Sequence, residues 1–593
     1  MKLLPCSLLG AMLLAATAAH AQKNIANDEL DMATGTRVQV RSVFDPLPSS
    51  GYAPMRIVAT NGTNRNARWG FDFHSQTTYY RQQNQHDSSF AVDVPARSTQ
   101  SALFLVPLAV SYGDSSMGNN GQMLRVEISG TGFITQPKIE HENRGGAFPA
   151  LALSEALAEF SITKLNKEVE AKLRSGGGYY GGTKAFGSRF EPADLPESWL
   201  GYSGFDFILL SSTDWQKLKP AVKRALLEWV RLGGKLHVYV SAGTTAVSLG
   251  LPEGADATSL GKITTLPWDG KTLPAGETLN RYWGATQRTT SLTSDHATTG
   301  HWPLLGLLGT RSFASWQVIV FLVIFGLLVG PVNLFVLAPA GKRHKLFVTT
   351  PLLSIGASIV MVVLILLQDG TGGIGRRFIA INLEPAEASA YVTQEQVSRT
   401  GVMLGTAFEM KQPVLIEPLA MPDTPWVKLK NVGTSQPTSL TQEGRERRGN
   451  FFQSRAEQGQ VLRAAISTRA RLELKAGAAP DAPPTLISAL GFTVDELFYT
   501  DAAGGYWRLE KPLSTGQSAT LVKADESAHR LWREAAIQPA VQSLRDRLAI
   551  AIKDRRSYFI AKARSAPDFT LDTLSSIRWE NDQIVVFGPV TQP

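Results

Sequence analysis

The residues best placed to do chemistry are Ser211, Ser212 and Asp214, because they directly follow the apolar run from Phe205 to Leu210. Such a run is typical of a buried strand, and open α/β sheets bind ligands at the carboxyl ends of their strands. A serine nucleophile there would need a histidine base and a strained G-x-S-x-G turn, and the sequence shows neither. We therefore expect no catalytic residue here. Instead, we expect one of the three side chains to cap the next helix. If these three residues have a further role, we expect it to be ligand binding.

Other candidate sites are weaker. The segment from Ser175 to Gly182 is rich in glycine but lacks the Gly-Lys-Ser/Thr ending of a P-loop, so a plain loop is favoured. Asp295, His296 and His301 share no helical face and have no second ligand cluster, which argues against zinc. His237 alternates with strand residues and is interpreted as a hydrogen-bonded core or edge histidine. We expect no metal and no cofactor.

The segments around Ser211 alternate strand and helix patterns between Phe148 and Val240. After the first strand, Pro220 can begin a helix and Gly233-Gly234 can end it. Leu236 to Val240 then supplies another strand. Apolar residues recur at helical spacing in between, at Val222, Ala225, Leu226, Trp229 and Val230. This rhythm predicts a parallel sheet with right-handed crossovers.

Two segments of this region resemble a known superfamily. Phe205-Asp206-Phe207-Ile208-Leu209-Leu210-Ser211, a helix, and then Trp229-Val230-Arg231-Leu232-Gly233-Gly234-Lys235-Leu236 are similar to the core of the class I glutamine amidotransferase-like superfamily. The resemblance covers roughly residues 148 to 245 and implies a flavodoxin-like parallel α/β domain, which we assign to residues 146–245. Active members use a cysteine on a tight strand-to-helix turn and a downstream histidine. The only cysteine here is Cys6, so the resemblance argues against that activity.

Two apolar runs predict a transmembrane hairpin. Residues 316–338 and 346–367 are each long enough to cross a bilayer as a helix, and the short segment 339–345 forces them to be antiparallel. Lys342, Arg343 and Lys345 in that segment place it in the cytoplasm by the positive-inside rule. The alternative, two buried core helices of a soluble protein, is disfavoured because such helices are usually shorter and amphipathic.

Three residues of the first run are candidates for packing within the membrane. Gly326 and Gly330 form a G-x-x-x-G pattern, which allows close approach of helices either within the hairpin, the preferred reading, or between two copies. Asn333 carries an amide that needs a partner, either across the hairpin or on another membrane protein.

The N-terminus supports the same topology. Residues 1–21 predict a signal peptide, with an apolar segment and then Ala19-His20-Ala21, so the mature chain has no thiol. Residues 22–145 alternate short β-type runs with turn residues and predict a β-sandwich, in which Asn61-Gly62 is interpreted as a hairpin turn. The net charge of +8 is dispersed among acidic residues, which argues against a nucleic-acid partner.

The remaining segments complete the predicted fold class, a multidomain α/β and all-β membrane protein. Residues 246–315 are rich in Gly, Pro, Thr and Ser and predict irregular periplasmic structure. Residues 368–593 predict a periplasmic β-rich domain with one helix at about 539–553, which presents Val541, Leu544, Leu548 and Ile552 on one side.

The whole layout resembles a set of poorly characterised bacterial inner-membrane proteins, whose hairpin carries a segment like Gly330-Pro331-Val332-Asn333. That resemblance implies a two-pass inner-membrane protein with both large regions in the periplasm. We expect a non-enzymatic protein that binds envelope or membrane protein partners. A periplasmic hydrolase with a non-cysteine nucleophile is the alternative. A transporter or channel subunit is the least favoured, since the two runs contain no ionisable residue.

Overall fold

The structure is a computed structural model that describes residues 24–31, 33–79, 82–109, 121–131, 138–143, 150–175, 185–241, 243–252, 259–283, 302–309, 315–419, 439–475, 482–553 and 555–592. The predicted signal peptide, most of the Gly-rich segment, and Asp295, His296 and His301 lie outside these ranges.

The N-terminal region forms two β-sheets that pack face to face. One sheet has the order β1-β2-β3-β6, with strands Asn24–Asp31, Thr36–Ser42, Tyr52–Asn61 and Ser98–Pro107. The second contains β4 (Ala67–Tyr79), β5 (Gln82–Val94), β7 (Gly121–Gly130) and β8 (Lys138–Asn143). Alternate residues of both sheets are buried between them, among them Val40, Ile57, Phe71 and Val126. This alternation is what the sequence pattern predicts.

The connection at Asn61-Gly62 is not a hairpin turn, so that expectation was wrong. Strands β3 and β4 belong to different sheets, and the segment between them crosses from one sheet to the other. The Asn61 side chain is fully buried and donates to the backbone oxygens of Arg65, Val94 and Pro95. The asparagine therefore stabilises an inter-sheet corner.

The second sheet is completed by strands from far along the chain. Strands β16 (Phe408–Glu409), β18 (Ser439–Glu443) and β19 (Glu446–Gly449) extend it to seven strands in the order β16-β19-β18-β5-β4-β7-β8. Strand β18 runs parallel to β5, with Leu440 opposite His86. The regions 22–145 and 368–593 therefore share one sheet.

The middle region contains the predicted parallel sheet, with five strands in the order β10-β9-β11-β12-β13. The strands are β9 (Leu151–Ser154), β10 (Ser188–Phe190), β11 (Phe207–Ser211), β12 (Lys235–Val240) and β13 (Lys262–Pro267). The helices are α1 (Glu155–Ala158), α2 (Ile162–Ser175), α3 (Ser212–Lys217), α4 (Pro220–Arg231) and α5 (Ala275–Tyr282). All five residues of the predicted stripe on α4 are buried.

The prediction of irregular structure over residues 246–315 was wrong in part. Residues 262–267 form the fifth parallel strand, and the α5 residues Leu279 and Tyr282 are buried in the core on that face of the sheet. Composition was misleading because β13 is half threonine and proline and lies at the sheet edge, where a continuous apolar run is not required.

The C-terminal region is dominated by a nine-stranded sheet with the order β17-β20-β15-β14-β28-β27-β23-β24-β26. Its strands are β14 (Gly373–Glu384), β15 (Ser389–Thr400), β17 (Leu415–Leu419), β20 (Glu457–Ser467), β23 (Glu496–Thr500), β24 (Tyr506–Arg508), β26 (Val522–Ala524), β27 (Tyr558–Ala563) and β28 (Ile577–Pro589). A three-stranded sheet of β21 (Arg471–Leu474), β22 (Thr485–Ala489) and β25 (Ser518–Thr520) shares one core with it.

The other face of the nine-stranded sheet is covered by helices. These are α6 (Pro303–Leu307), α9 (Glu526–Ile537) and α10 (Gln542–Ala551). Helix α10 buries the predicted stripe, whereas α9 was not predicted. Short 3-10 turns occur at Pro192–Asp194, Trp199–Tyr202, Val247–Leu249, Arg343–Lys345 and Pro385–Glu387.

The two apolar runs form two long helical segments. The first consists of α7 (Ser315–Leu327) and a π-helical continuation, Leu328–Leu337, and the second is α8 (Leu346–Asp369). Pro331 lies inside the π segment, where its missing N–H and its ring disfavour regular α-helical hydrogen bonding. The windows 319–337 and 343–364 are only 6% and 0% buried, so these are not core helices of the described protein.

Candidate functional site

The carboxyl edge of the parallel sheet brings together the predicted group. Ser211 ends β11, and its Oγ accepts a hydrogen bond from the backbone N–H of Asp214 at 3.0 Å. This is an N-cap, and it satisfies one of the backbone donors left open at the start of α3. The same Oγ lies 2.8 Å from Oγ1 of Thr213. Ser211 thus has the capping role that the sequence favoured.

Asp214 is held by a residue that the sequence analysis missed. Ser154 ends β9, the neighbouring strand, and its hydroxyl donates to Oδ2 of Asp214 at 2.7 Å. Both side chains are buried. The bond therefore ties the end of β9 to the start of the helix that follows β11, and it uses one of the two carboxylate oxygens of Asp214. The sequence contains part of the signal, because Leu151 to Ser154 is also an apolar run that ends in serine, but it does not show that this strand lies beside β11.

Several carboxylates and Arg189 also lie near this edge. Burial, followed by Asp214 and other nearby carboxylates, raises the pKa of Glu191, which comes directly after β10. Arg189 lies 3.8 Å from both Asp45 and Glu155. Backbone hydrogen bonds of 2.8 and 3.1 Å also join Arg189 to Asp45. A segment of the N-terminal region thus packs against this edge.

No nucleophile with a positioned base is present among the described residues at this edge. His237 lies on β12 opposite Leu209, two residues before the partner of Ser211. Its Nδ1 is 2.5 Å from the hydroxyl of Tyr282, and burial lowers the pKa of His237 to about 4. The ring is a hydrogen-bonded core histidine, as predicted. The described residues also contain no cluster of three or more His, Cys, Asp or Glu suited to a metal ion.

A small cavity, which no sequence pattern predicted, lies where the N-terminal and C-terminal regions meet. It measures about 40 Å³, enough for a few water molecules, and its walls include Tyr52, His86, Leu108, Glu417 and Arg447. Burial, and then the charge of Arg447, lower the pKa of His86 to about 3. A cavity of this volume can accommodate a small polar group or a few water molecules.

Two buried acceptors face this junction. His86 Nε2 and Glu417 Oε1 have no hydrogen-bond partner in the described part of the chain. The other carboxylate oxygen of Glu417 pairs with the guanidinium of Arg463. Tyr52 donates from its hydroxyl to Oε1 of Gln442 at 2.9 Å, which fastens the N-terminal region to β18. The polar groups here hold three segments together.

Among the described side chains of the hairpin, one hydrogen bond joins the two helices. Asn333 is fully buried and donates from Nδ2 to Oγ1 of Thr350 at 2.9 Å. Of the two alternatives for Asn333, the structure therefore has the bond across the hairpin. Lys342, Arg343 and Lys345 lie at the opposite end from the large domains and are all exposed.

Gly326 and Gly330 do not contact the second helix. A methyl group built at either position would have no other atom within 4 Å, leaving out neighbouring residues and the backbone of the same helix. Packing within the hairpin, the preferred interpretation of this pattern, is therefore absent at these two glycines. The same face is open to another helix.

Comparison with known proteins does not assign a family. No protein-family model matches the chain, and no curated protein matches it. A crystal structure of red sea bream transglutaminase aligns at 10% identity and a TM-score of 0.14, over 18% of this chain and 16% of that chain. A calcium-binding mutant of Bacteroides uniformis beta-glucuronidase 2 aligns at 9% identity and a TM-score of 0.17, over 82% and 77%. Scores this low carry no argument about fold or function.

Proposed function

We propose that this chain is a non-enzymatic, two-pass protein of the bacterial inner membrane, whose three folded regions face the periplasm and bind envelope or membrane protein partners. The observation that carries the proposal is the hairpin. Its two helices are apolar on all sides and are left almost wholly exposed by the rest of the chain. Exposed apolar surface of this extent needs a covering, and the length of both helices matches a bilayer.

The arrangement of the three regions supports a rigid binding platform. The N-terminal and C-terminal regions share a sheet through β5 and β18. Arg231 at the end of α4 lies 3.0 Å from Glu384 and 2.8 Å from Glu387, which joins the α/β region to the nine-stranded sheet. These pairs are largely buried, and removal of one partner of a buried pair is strongly destabilising. Such interlocking suits presentation of a fixed surface.

The candidate site supports a binding role over catalysis. The Ser211 hydroxyl caps a helix, Asp214 accepts from Ser154, and His237 bonds to Tyr282. The strand order, 2-1-3-4-5 along the chain, is that of flavodoxin-like sheets, in keeping with a degenerate glutamine amidotransferase-like domain. The hydrolase alternative would require these bonds to rearrange.

The topology can be tested by thiol labelling of single cysteines in a Cys6→Ser background. Suitable exposed positions are Val247 in the α/β region, Ala503 in the C-terminal region and Ala340 at the hairpin tip. In cells with a permeabilised outer membrane, a membrane-impermeant maleimide should label Val247→Cys and Ala503→Cys, but not Ala340→Cys until the inner membrane is lysed. Labelling of Ala340→Cys in intact spheroplasts, with Val247→Cys and Ala503→Cys protected, would reverse the topology. Equal labelling of all three cysteines in intact spheroplasts would contradict the proposal that the hairpin spans the inner membrane.

A further inference from the structure

The second apolar helix is connected to the nine-stranded sheet by a very short link. Helix α8 ends at Asp369, and Gly370 closes it with a hydrogen bond from its N–H to the oxygen of Leu366 at 2.9 Å. Thr371 then pairs with Val402, which follows the end of β15. Two backbone bonds reinforce this contact, from Val402 to Gly370 at 3.0 Å and from Gly401 to Gly372 at 2.7 Å. The helix is thus clamped to the sheet.

The segment before the first apolar helix is attached to the same end of the sheet. Arg399 donates to the backbone oxygens of Leu308 at 3.1 Å and Gly309 at 2.5 Å, just after α6. The guanidinium of Arg399 also bonds Glu457 at 2.7 Å, which fixes its direction. Leu304 and Leu308 are buried against the sheet. Both connections to the hairpin therefore converge on the end of the sheet where Gly373, Thr400 and Ile577 meet.

We call this end of the sheet, with residues 401–405, the membrane-facing edge. Leu404 belongs to this edge and is 90% exposed, the largest exposure of any large apolar side chain in the described part of the chain. Ile374, near the start of β14, and Leu307, on α6, are also exposed. Arg578, opposite Ile374 on β28, is largely exposed as well. Exposed apolar side chains and an exposed cation at the same end of the sheet suit the boundary between lipid headgroups and acyl chains.

The distances fit such a position. Leu404 is two residues beyond Val402, so it can extend at most about 7 Å from the clamp at Thr371. The polar zone on each side of the hydrocarbon core is about 5 to 8 Å thick. Since α8 leaves the hydrocarbon near its end at Asp369, the tip of the 401–405 loop is within reach of this zone.

We propose that the 401–405 loop contacts the phospholipid bilayer, with Leu404 inserted at the level of the headgroups. This contact would hold the folded regions outside the hairpin in one orientation relative to the membrane. This inference rests on the proposed function, because it requires the hairpin to span the bilayer. The occupant of this surface is lipid, since the loop is continuous with the helices that lipid surrounds.

The proposed orientation also affects how far the α/β region lies from the membrane. Strand β14 runs from Gly373 at the membrane-facing edge to Glu384, the partner of Arg231 on α4. Eleven steps along a strand cover about 36 Å. With β14 directed away from the membrane in the proposed orientation, the α/β region lies away from the lipid and can meet a periplasmic partner.

The test uses the full-length protein in vesicles of phosphatidylethanolamine and phosphatidylglycerol, with single cysteines in the Cys6→Ser background labelled by an environment-sensitive fluorophore. Leu404→Cys is the test position. Ile355→Cys, in the middle of α8, is the positive control, and Phe160→Cys, an exposed apolar residue of the α/β region, is the negative control. Lipids carrying a spin label near the headgroup serve as the quencher.

We expect quenching at Leu404→Cys and a shift of its emission to shorter wavelength, with neither change at Phe160→Cys. Lipids labelled deep in the acyl chain should quench Ile355→Cys most strongly. If Ile355→Cys is quenched and Leu404→Cys behaves like Phe160→Cys, the loop does not contact lipid, and the inference fails while the anchor stands. If neither Ile355→Cys nor Leu404→Cys is quenched, the membrane anchor itself fails.

Discussion

Helix α4 and the helices of the hairpin show two different ways to stabilise a helix. Helix α4 is amphipathic and buries a single stripe, including Trp229 and Leu226, against the parallel sheet. The hairpin helices are apolar on every side and bury almost nothing, and within the part that the structure describes one side-chain bond, from Asn333 to Thr350, joins them. In water the buried stripe supplies the stability of the packing. In lipid that driving force is missing, so few contacts have to specify the arrangement.

The largest effect should come from emptying the stripe of α4. Trp229 is fully buried beside Tyr202, and its indole packs directly on Gly234. Trp229→Ala should lower the free energy of unfolding of the α/β region by about 3 to 5 kcal/mol, since it leaves a large cavity. Hydrogen exchange of β11 and β12 amides, compared with wild type, measures the loss. Val247→Ala, at an exposed position, is the control. Unchanged exchange in Trp229→Ala would mean that this core is not what stabilises the region.

The second prediction concerns a buried carboxylate beside a helix of the C-terminal region. Glu395 is fully buried, and its Oε2 accepts the N–H of Val541 at 2.8 Å, at the start of α10. Burial raises the pKa of Glu395 to about 7. The folded state therefore binds the proton more tightly than the unfolded state, so stability falls as the pH rises from about 4.3 to 7 and then levels off.

Glu395→Gln should remove this pH dependence. We expect the variant to gain stability relative to wild type between pH 5 and pH 8, on the order of 3 kcal/mol. Denaturant midpoints at the two pH values measure the difference. Asp546→Asn, on the exposed face of α10, provides a matched control in which no such change is expected. If wild type and Glu395→Gln respond equally to pH, the carboxylate is already ionised in the fold and the assigned pKa is wrong.

The third prediction separates capping from catalysis. Ser211→Ala removes the cap of α3 and should cost about 1 kcal/mol, with slower growth only to the extent that protein abundance falls. Ser212→Ala, the adjacent buried serine without the capping bond, is the matched variant. Abundance by immunoblot and the phenotype in a deletion strain give the two readouts. A Ser211→Ala protein of normal abundance that behaves like a deletion would favour the hydrolase alternative.

Sequence patterns predicted the elements whose side chains repeat with a clear period. The stripe of α4, the strand before Ser211 and the two apolar helices are of this kind. Sequence patterns did not predict contacts between segments that are far apart in the chain, or contacts made by polar side chains. Strand β18, Ser439–Glu443, has no apolar alternation, and its partner β5 lies about 350 residues earlier in the chain. Similarly, the bond from Ser154 to Asp214 depends on β9 lying next to β11, which no local pattern specifies.

The smallest effect on stability is expected in the hairpin, and it tests the comparison between the hairpin helices and α4 directly. Asn333→Leu removes the bond to Thr350, but it also removes a buried carbonyl, Oδ1, that has no partner in the described part of the chain. These two changes act on stability in opposite directions, so the sign of the stability change in Asn333→Leu alone is not fixed. A double-mutant cycle with Thr350→Val isolates the bond itself, and hydrogen bonds between membrane helices contribute about 0.6 kcal/mol on average. Unfolding of the purified protein in mixed micelles measures the coupling between Asn333 and Thr350. A coupling near zero would show that the helices need no specific contact, whereas one well above about 2 kcal/mol would mean that the hairpin is specified by polar contacts as strongly as α4 is by its core.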